Sequence, residues 1–287
     1  DMYLDDAGNV LKDESLTGWR ASGVPGTVAG LDHALARFGT MTREPVMAPA
    51  IALARDGFVL GRADTDILER GTSRMSRDPE AARIFLSAEG RARKPGDRLI
   101  QPDLAATLEK VATAGPDAFY RGEIAAKVEA AMKARRGTLT AADFAAYRVA
   151  ETTPVTCTYR GHRLISAPPP SSGGVTICLI LNILEGFDTR AMGWHSAAFV
   201  RTFVEAMRHA YVDRNFLLGD PAFVKVPVEK LLSKDYAAAI AARIRAEGRI
   251  DSKAVAPGSP PHEKPETTHY SVVDAAGNAV AVTYTIN

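Results

Sequence analysis

The chain has 287 residues, of which 46% are hydrophobic and 24% charged, and this is the composition of a globular protein with one large domain or two modest ones. The formal net charge is +1 and the two signs are interspersed, which argues against nucleic acid or a membrane surface as a partner. The longest apolar run, residues 175–184, is much shorter than the roughly 20 residues that a membrane-spanning helix needs. We therefore expect a soluble protein without a membrane span.

Helical patterns fill residues 27–150. Val28, Leu31, Leu35 and Phe38 recur on one helical face, and Gly39 is placed to end that helix. Further helices are predicted from Pro45 to Gly57, around Leu104–Val111 before Gly115, after a capping box at Thr140–Asp143, at 196–217 and at 234–247.

Near residue 153 the hydrophobic pattern changes from the period of a helix to that of a strand. Residues 155–159 and 162–165 flank Arg160-Gly161 and predict a hairpin. The run PPPSSGG at 168–174 then leads into an apolar helix that continues through Leu184. A Ser/Gly loop before a helix can bind an anion through its free amides, but no lysine follows at the P-loop spacing, so a rigid turn is favoured.

Few side chains suggest a metal or redox centre. Cys157 and Cys178 are the only cysteines. They can form one disulfide or remain two separate buried thiols, and we favour the two thiols. Cysteine usage therefore does not indicate the compartment. No metal site is predicted, because the histidines other than His269 are scattered without metal-ligand spacing: His33, His162, His195, His209 and His262.

A proline-rich tether precedes the last strands. Residues 251–266 hold four prolines and few apolar residues, so we expect an exposed linker. Residues 267–273 and 279–286 then read as two strands, and Gly277 suits the left-handed position of a three-residue hairpin loop. This register sets Asp274 opposite Asn278 and Thr267 opposite Thr285.

Strand parity divides the side chains of this hairpin between two faces. The face suited to burial carries Tyr270, Val272, Val280, Val282, Tyr284 and Ile286. The small and polar face carries Thr267, His269, Ser271, Ala281, Thr283, Thr285 and Asn287. The sequence predicts that Thr267, Thr285 and Asn287 share one surface.

Two interpretations of these threonines are open. They can be good strand formers on a solvated face, or Thr267 can be a catalytic N-terminus. A threonine hydroxyl is a weak nucleophile unless a base takes its proton, and a free α-amine on the same residue can do so. That amine exists only after cleavage of the bond between Glu266 and Thr267.

A family resemblance favours the catalytic interpretation. "TTHYSVVDAAGNAVAVTYTIN" (267–287) resembles the start of the small subunit of the γ-glutamyltranspeptidases, which are N-terminal nucleophile hydrolases. The similarity covers essentially the whole chain. Supporting stretches are "ASGVPGTVAGL" (21–31), "QPDLAATLEKVATAGPDAFYRGEIA" (101–125), "PPPSSGG" (168–174), "ILNILEGF" (180–187) and "FLLGDPAFVKVP" (216–227).

The resemblance implies a role for each matched residue. Thr267 matches the nucleophile exposed by self-cleavage after Glu266, Thr285 matches the threonine that hydrogen-bonds it, and Asn287 matches an asparagine that contacts the α-amino-acid end of the γ-glutamyl group. His269 is not a catalytic base in this family and is expected to be a strand residue.

The resemblance also implies the architecture and the reaction. The fold would be α+β, a four-layer αββα sandwich present in part, with one structural domain. Residues 1–266 would be large-subunit sequence and 267–287 the start of the small subunit, the two subunits forming a heterodimer from one precursor. The reaction would transfer a γ-glutamyl group from glutathione or a related amide to water or an amino acid. No cofactor or metal is implied, and the location would be periplasmic or secreted.

Some family features have no counterpart in residues 1–287. The arginine that clamps the substrate carboxylate would lie upstream, and the glycine pair of the oxyanion hole, the acidic and serine residues that hold the substrate, and the lid loop would lie downstream. The chain opens without a recognisable signal peptide and stops just after a strand, so we expect a fragment. A cephalosporin-type acylase, a poly-γ-glutamate-cleaving enzyme and an unprocessed non-catalytic homologue remain alternatives.

Overall fold

The computed structural model describes residues 2–11, 14–247 and 268–285, and the chain divides into two compact units at residue 150. Across these described ranges helices dominate, and the strands pair into three antiparallel sheets of two strands each. The chain is thus of the α+β class. The predicted boundary between Glu266 and Thr267 lies outside the described residues. It stays a prediction, as does the expectation of one structural domain.

The first unit is a set of mainly short helices. Its elements are a 3₁₀ helix Trp19–Ala21, α1 Thr27–Phe38, α2 Arg43–Asp56, β1 Phe58–Val59, α3 Arg62–Met75, α4 Pro79–Phe85, β2 Arg98–Leu99, α5 Pro102–Ala114, α6 Asp117–Tyr120, α7 Glu123–Ala134 and α8 Ala141–Ala146. Helix α2 packs against α5, and β1 pairs with β2.

Local sequence signals set several ends of these helices. Helix α1 ends at Phe38, and the amide of Gly39 donates to the Leu35 carbonyl, as predicted. The capping box before α8 is confirmed, because the Asp143 amide donates to Thr140 Oγ1 and the Thr140 amide donates to the Asp143 carboxylate at 2.8 Å. Each bond satisfies an amide that a helix start leaves without a helical partner.

The second unit surrounds one buried helix. Its elements are β3 Val155–Tyr159, β4 His162–Ser166, α9 Gly173–Leu184, α10 Ala197–Leu217, α11 Val228–Leu232, α12 Lys234–Glu247, β5 Thr268–Val273 and β6 Ala279–Tyr284. Helix α9 packs against α10, α11, α12 and the β3–β4 hairpin, and nine of its twelve residues are buried. A helix that is apolar on all sides is expected at such a central position.

The start of α9 lies very close to the β3–β4 hairpin. A Cβ atom at Gly174 would stand 2.4 Å from the Ala167 carbonyl oxygen and 2.7 Å from Val155 Cγ2. Only glycine fits there without a shift of the backbone. The preceding proline run forms the favoured turn, in which the Ser171 amide donates to the Pro168 carbonyl at 3.1 Å.

The two cysteines form a disulfide, so the prediction of two separate thiols is wrong. Cys157 lies on β3 and Cys178 on α9, and their Cα atoms are 6.0 Å apart. Helix α9 packs back against β3 and brings the two residues together. The sequence shows only a separation of 21 residues, and that spacing does not reveal this packing.

The helices have the lengths of ordinary globular elements. In the part of the chain that the structure describes, no helix combines enough length with enough apolar character to cross a membrane.

Candidate active site

The β5–β6 hairpin is the element on which the sequence predicts the catalytic residues. Its pairs run from Thr268 opposite Tyr284 to Val273 opposite Ala279, which confirms the predicted register over the described strands. Continuing the register by one pair would set Thr267 opposite Thr285. Because Thr267 lies outside the described residues, this pairing stays a prediction.

The turn of the hairpin is held by one aspartate. Asp274 Oδ1 accepts hydrogen bonds from the amides of Ala276 at 3.0 Å and Asn278 at 2.8 Å, and Asp274 Oδ2 accepts from Asn278 Nδ2 at 2.8 Å. Gly277 has a φ of 84°, the left-handed conformation that was predicted for it. Donation from the Asn278 side chain, followed by that from its backbone amide, lowers the pKa of Asp274.

Side chains on the polar face contact one another. His269 Nδ1 lies 2.9 Å from Thr283 Oγ1, and His269 Nε2 lies 3.3 Å from Ser271 Oγ. These contacts confirm that the three residues share a face, as strand parity predicts. His269 and Thr283 are directly opposite each other, so the contact between them is a cross-strand pair.

The ladder also defines the kind of pair at each position. The Asp274 amide donates to the Asn278 carbonyl at 3.0 Å, which makes this a hydrogen-bonded pair. Such pairs alternate along an antiparallel ladder with non-bonded pairs, whose side chains stand closer together. His269 and Thr283 then form a non-bonded pair, in agreement with their contact. By the same alternation, a pair of Thr267 with Thr285 would be non-bonded and close.

The apolar face of the hairpin is largely exposed in this structure. Val272 and Val280 are each 58% exposed, and Tyr270 and Tyr284 are 49% and 41% exposed. The sequence predicts a face suited to burial. Within the described residues, this face remains open to solvent.

The predicted site residues are described only in part. Thr285 lies just beyond β6 and is exposed. Glu266, Thr267 and Asn287 lie outside the described residues, so their roles stay predictions. Of the expected site, the structure therefore describes the β5–β6 hairpin with its turn and its polar face, and Thr285.

A buried polar cluster on α10 was not found from the sequence. Glu205 is 4% exposed and pairs with Arg208 Nη1 at 2.7 Å. Among the described residues, no partner lies within hydrogen-bond distance of Glu205 Oε2, Arg208 Nη2 or His209 Nε2. Burial, followed by the nearby Arg243 charge, lowers the pKa of His209. The available signal was the pair Glu205 and Arg208, oppositely charged and three residues apart on one predicted helix.

A second polar cluster joins β3, α9 and α12. Lys234 Nζ donates to the Thr158 carbonyl at 2.6 Å, to Asn182 Oδ1 at 2.6 Å and to Glu185 Oε2 at 2.5 Å. Hydrogen bonding by Lys234 is the largest cause of the lowered pKa of Glu185. All donors of this ammonium group are used within the fold, so its role is structural.

The described residues offer little to a metal ion. Within them, no group of three His, Cys, Asp or Glu side chains is placed to bind one.

The fold class of this chain is that of the N-terminal nucleophile hydrolases, as its similarity to solved structures shows. Comparison with solved structures supports this class: γ-glutamyltranspeptidase from Helicobacter pylori matches with a TM-score of 0.86 and 37% identity, over 92% of this chain and 76% of that one.

The family model described as gamma-glutamyltranspeptidase matches residues 1–287, and the chain belongs to that family. A glutathione hydrolase proenzyme from Pseudomonas sp. (strain A14) is 52% identical over 286 residues, covering 100% of this chain and 50% of the relative. An acylase ACY 1 proenzyme from Pseudomonas sp. (strain V22) is 41% identical over 293 residues, covering 100% of this chain and 52% of the relative. The chain thus spans about half the length of the curated relatives it matches.

Proposed function

We propose that the protein transfers γ-glutamyl groups from glutathione or related γ-glutamyl amides to water or to amino acids, after self-cleavage between Glu266 and Thr267. The observation that carries this proposal is the 52% identity to a glutathione hydrolase proenzyme across the whole chain, including the threonine segment. The word proenzyme in that relative's name supports a maturation step here.

In the proposed reaction, the α-amine of Thr267 accepts the proton of its own hydroxyl. The hydroxyl oxygen attacks the γ-carbonyl carbon and forms an ester, the amide C–N bond breaks, and the proton passes to the leaving amine. Water or the amine of an acceptor amino acid then attacks the ester and regenerates the hydroxyl. Thr285 would hold the Thr267 hydroxyl in position, and Asn287 would bind the α-amino-acid end of the substrate.

The hairpin supports this arrangement through its register. The described ladder confirms every predicted pair from Thr268 to Val273, and the alternation of pair types makes the next pair one with close side chains. Thr267 Oγ1 and Thr285 Oγ1 would then face each other on the polar side of the hairpin. A hydrogen bond there would orient the nucleophile.

We also infer that cleavage yields two subunits that stay associated as a heterodimer. A periplasmic or secreted location is part of the same proposal. It is supported by the Cys157–Cys178 disulfide, because disulfides persist mainly in oxidising compartments.

The first test is maturation of the full-length gene product. The wild-type protein should appear as two chains on a denaturing gel and should release the free aniline from a chromogenic γ-glutamyl anilide. Thr267→Ala should remain one chain and show no turnover. Thr268→Ala is the matched control, since it alters the neighbouring threonine and should leave both maturation and turnover measurable.

Normal maturation of Thr267→Ala would contradict the nucleophile assignment. A wild-type protein that stays one chain would favour the non-catalytic alternative.

The second test addresses the Thr285 hydroxyl. Thr285→Val keeps the shape and strand preference but removes the hydrogen bond, whose ordinary contribution is about 0.5–1.5 kcal/mol, or roughly two- to tenfold in rate. Thr285→Ser keeps the hydroxyl and should retain more activity. Equal turnover by the two variants would argue against the positioning role.

A second candidate function is acylase activity. It is favoured by the 41% identity to an acylase ACY 1 proenzyme, which also covers the whole chain. The two functions predict the same maturation but different substrates. Matured protein should be assayed in parallel with a γ-glutamyl anilide and with a cephalosporin-type side-chain amide. Preference for the second substrate would replace the proposed function by the acylase one.

A further inference from the structure

A histidine is buried in the second unit, where α10 packs against α12. His209 lies on the buried face of α10 and is 7% exposed, and its Nε2 has no hydrogen-bond partner among the described residues. Both helices contribute to one hydrophobic core, through Ala206, Ala210, Ile240 and Ile244. A neutral imidazole is tolerated in such a place, whereas a charged one loses its hydration without compensation.

Two arginines oppose a positive charge on this histidine. After burial itself, the charge of Arg243 from α12 and then that of Arg208 from α10 lower the pKa of His209. Arg208 Nη2 is also buried and has no hydrogen-bond partner among the described residues. This part of the interface therefore already contains a positive charge with an unpaired donor, and protonation of His209 would add a second one.

Two carboxylates on α10 act in the opposite direction, but each already has a partner. Glu205 Oε1 accepts from Arg208 Nη1 at 2.7 Å, and Asp213 Oδ2 accepts from the Tyr236 hydroxyl of α12 at 2.8 Å. Helix α9, which also packs against α10, carries no acidic or basic side chain. Burial and the two arginines outweigh the carboxylates, so the pKa of His209 is lowered from 6.5.

A histidine whose folded pKa is lowered stabilises the fold in one pH range only. Its contribution is fully present above the unfolded value of 6.5 and is lost as the pH falls from there through the lower folded value. Over this interval, a state in which the interface is open binds about one proton more than the closed state. The equilibrium then shifts toward the open state by about tenfold for each pH unit.

We propose that His209 makes the second unit acid-sensitive: its protonation by solvent weakens the packing of α10 against α12 and loosens both helices. The added proton turns the ring into an imidazolium in which both nitrogens donate, and Nε2 then needs an acceptor or water. Opening of the interface supplies the water. This device is built from α10 and α12, apart from the β5–β6 hairpin, and it does not depend on the proposed function.

The test is amide hydrogen exchange of the full-length gene product between about pH 7.5 and about pH 5, with each rate divided by the intrinsic rate at that pH. Protection of α10 and α12 peptides should fall below about pH 6.5, by up to about tenfold per pH unit. His209→Gln should remove this pH dependence. His162→Gln, at an exposed histidine of β4, is the matched control and should behave as the wild type.

A second pair of variants tests the arginine without touching the buried ring. Arg243→Gln removes the positive charge and should reduce the acid loss of protection, whereas Arg243→Lys keeps the charge and should preserve it. The Arg243 side chain is 52% exposed, so both variants should fold even if His209→Gln does not. Equal acid loss in the wild type and in His209→Gln, or equal acid loss in the two Arg243 variants, would overturn the proposal.

Discussion

Two turns of nearly the same sequence occur at opposite ends of the chain, Asp-Asp-Ala-Gly-Asn at 5–9 and Asp-Ala-Ala-Gly-Asn at 274–278. In both, the aspartate amide donates to the asparagine carbonyl, at 2.9 Å and 3.0 Å, and the glycine amide donates to the aspartate carbonyl, at 2.9 Å and 3.1 Å. The glycines have φ values of 82° and 84°. The local geometry is the same.

The flanking chain differs. Among the described residues around the first turn, Leu4 and Val10 form one isolated bridge, whereas the second turn joins six paired residues on each side. In the segments 268–273 and 279–284 every second residue is β-branched or aromatic and most of the residues between them are small or polar, and the segments beside the first turn lack this pattern. A turn sequence therefore sets a chain reversal, while the alternation beside it decides how far the strands continue.

The largest effect in this comparison is expected from the glycines. Gly277→Val places a β-branched side chain in the left-handed region, which costs roughly 1–2 kcal/mol. We expect amide hydrogen exchange in β5 and β6 to become about 5–30-fold faster. Gly8→Val carries the same local strain, but few paired residues depend on that turn, so exchange elsewhere should not change.

Ala276→Val is the control for added side-chain bulk at a loop position, since Ala276 is not among the residues with positive φ. If Gly277→Val exchanges no faster than Ala276→Val, the left-handed glycine is not what holds the hairpin turn together.

The hairpin shows how much a short sequence can predict. Gly277 and the alternation beside it give the turn and the register, and both are confirmed over the described strands. The capping box at Thr140 and the end of α1 at Gly39 are also predicted correctly. All of these features depend on residues within a few positions of one another, and local sequence determines them.

Features that depend on packing between distant elements were not predictable in the same way. The Cys157–Cys178 disulfide requires α9 to pack back on β3, and the buried cluster of Glu205 and His209 requires α10 to pack against α12. Nothing near Cys157 or Glu205 in the sequence specifies these neighbours. For the candidate site, the polar face of the hairpin was predictable from parity, while the roles of Thr267 and Asn287 rest on family membership.

A smaller effect is expected from the turn aspartates. Asp274→Ala removes the acceptor of three hydrogen bonds, and because the site is exposed we expect only a small loss in the stability of the hairpin. Asp274→Asn keeps one side-chain oxygen for the two backbone amides and should lose less. Hydrogen exchange of β5 and β6 amides measures both, and equal losses would mean that the charge, rather than the backbone bonds, supports the turn.

The smallest effect is a pH dependence that the two turns should share. The pKa values of Asp5 and Asp274 are both lowered from the ordinary 3.8. The largest cause for Asp5 is a hydrogen bond from the backbone of Asn9, and the largest cause for Asp274 is a hydrogen bond from the side chain of Asn278. A carboxyl whose folded pKa is lowered stabilises the fold above its unfolded pKa, and this contribution is lost as the pH falls through the lower folded value.

Titration of the side-chain carboxyl carbons by NMR should therefore place both midpoints below 3.8. Asn278→Ala should raise the Asp274 midpoint and leave that of Asp5 unchanged, because each asparagine acts only within its own turn. A midpoint for Asp274 that does not respond to Asn278→Ala would show that the backbone amides alone lower its pKa, and the assigned role of the Asn278 side chain would then be wrong.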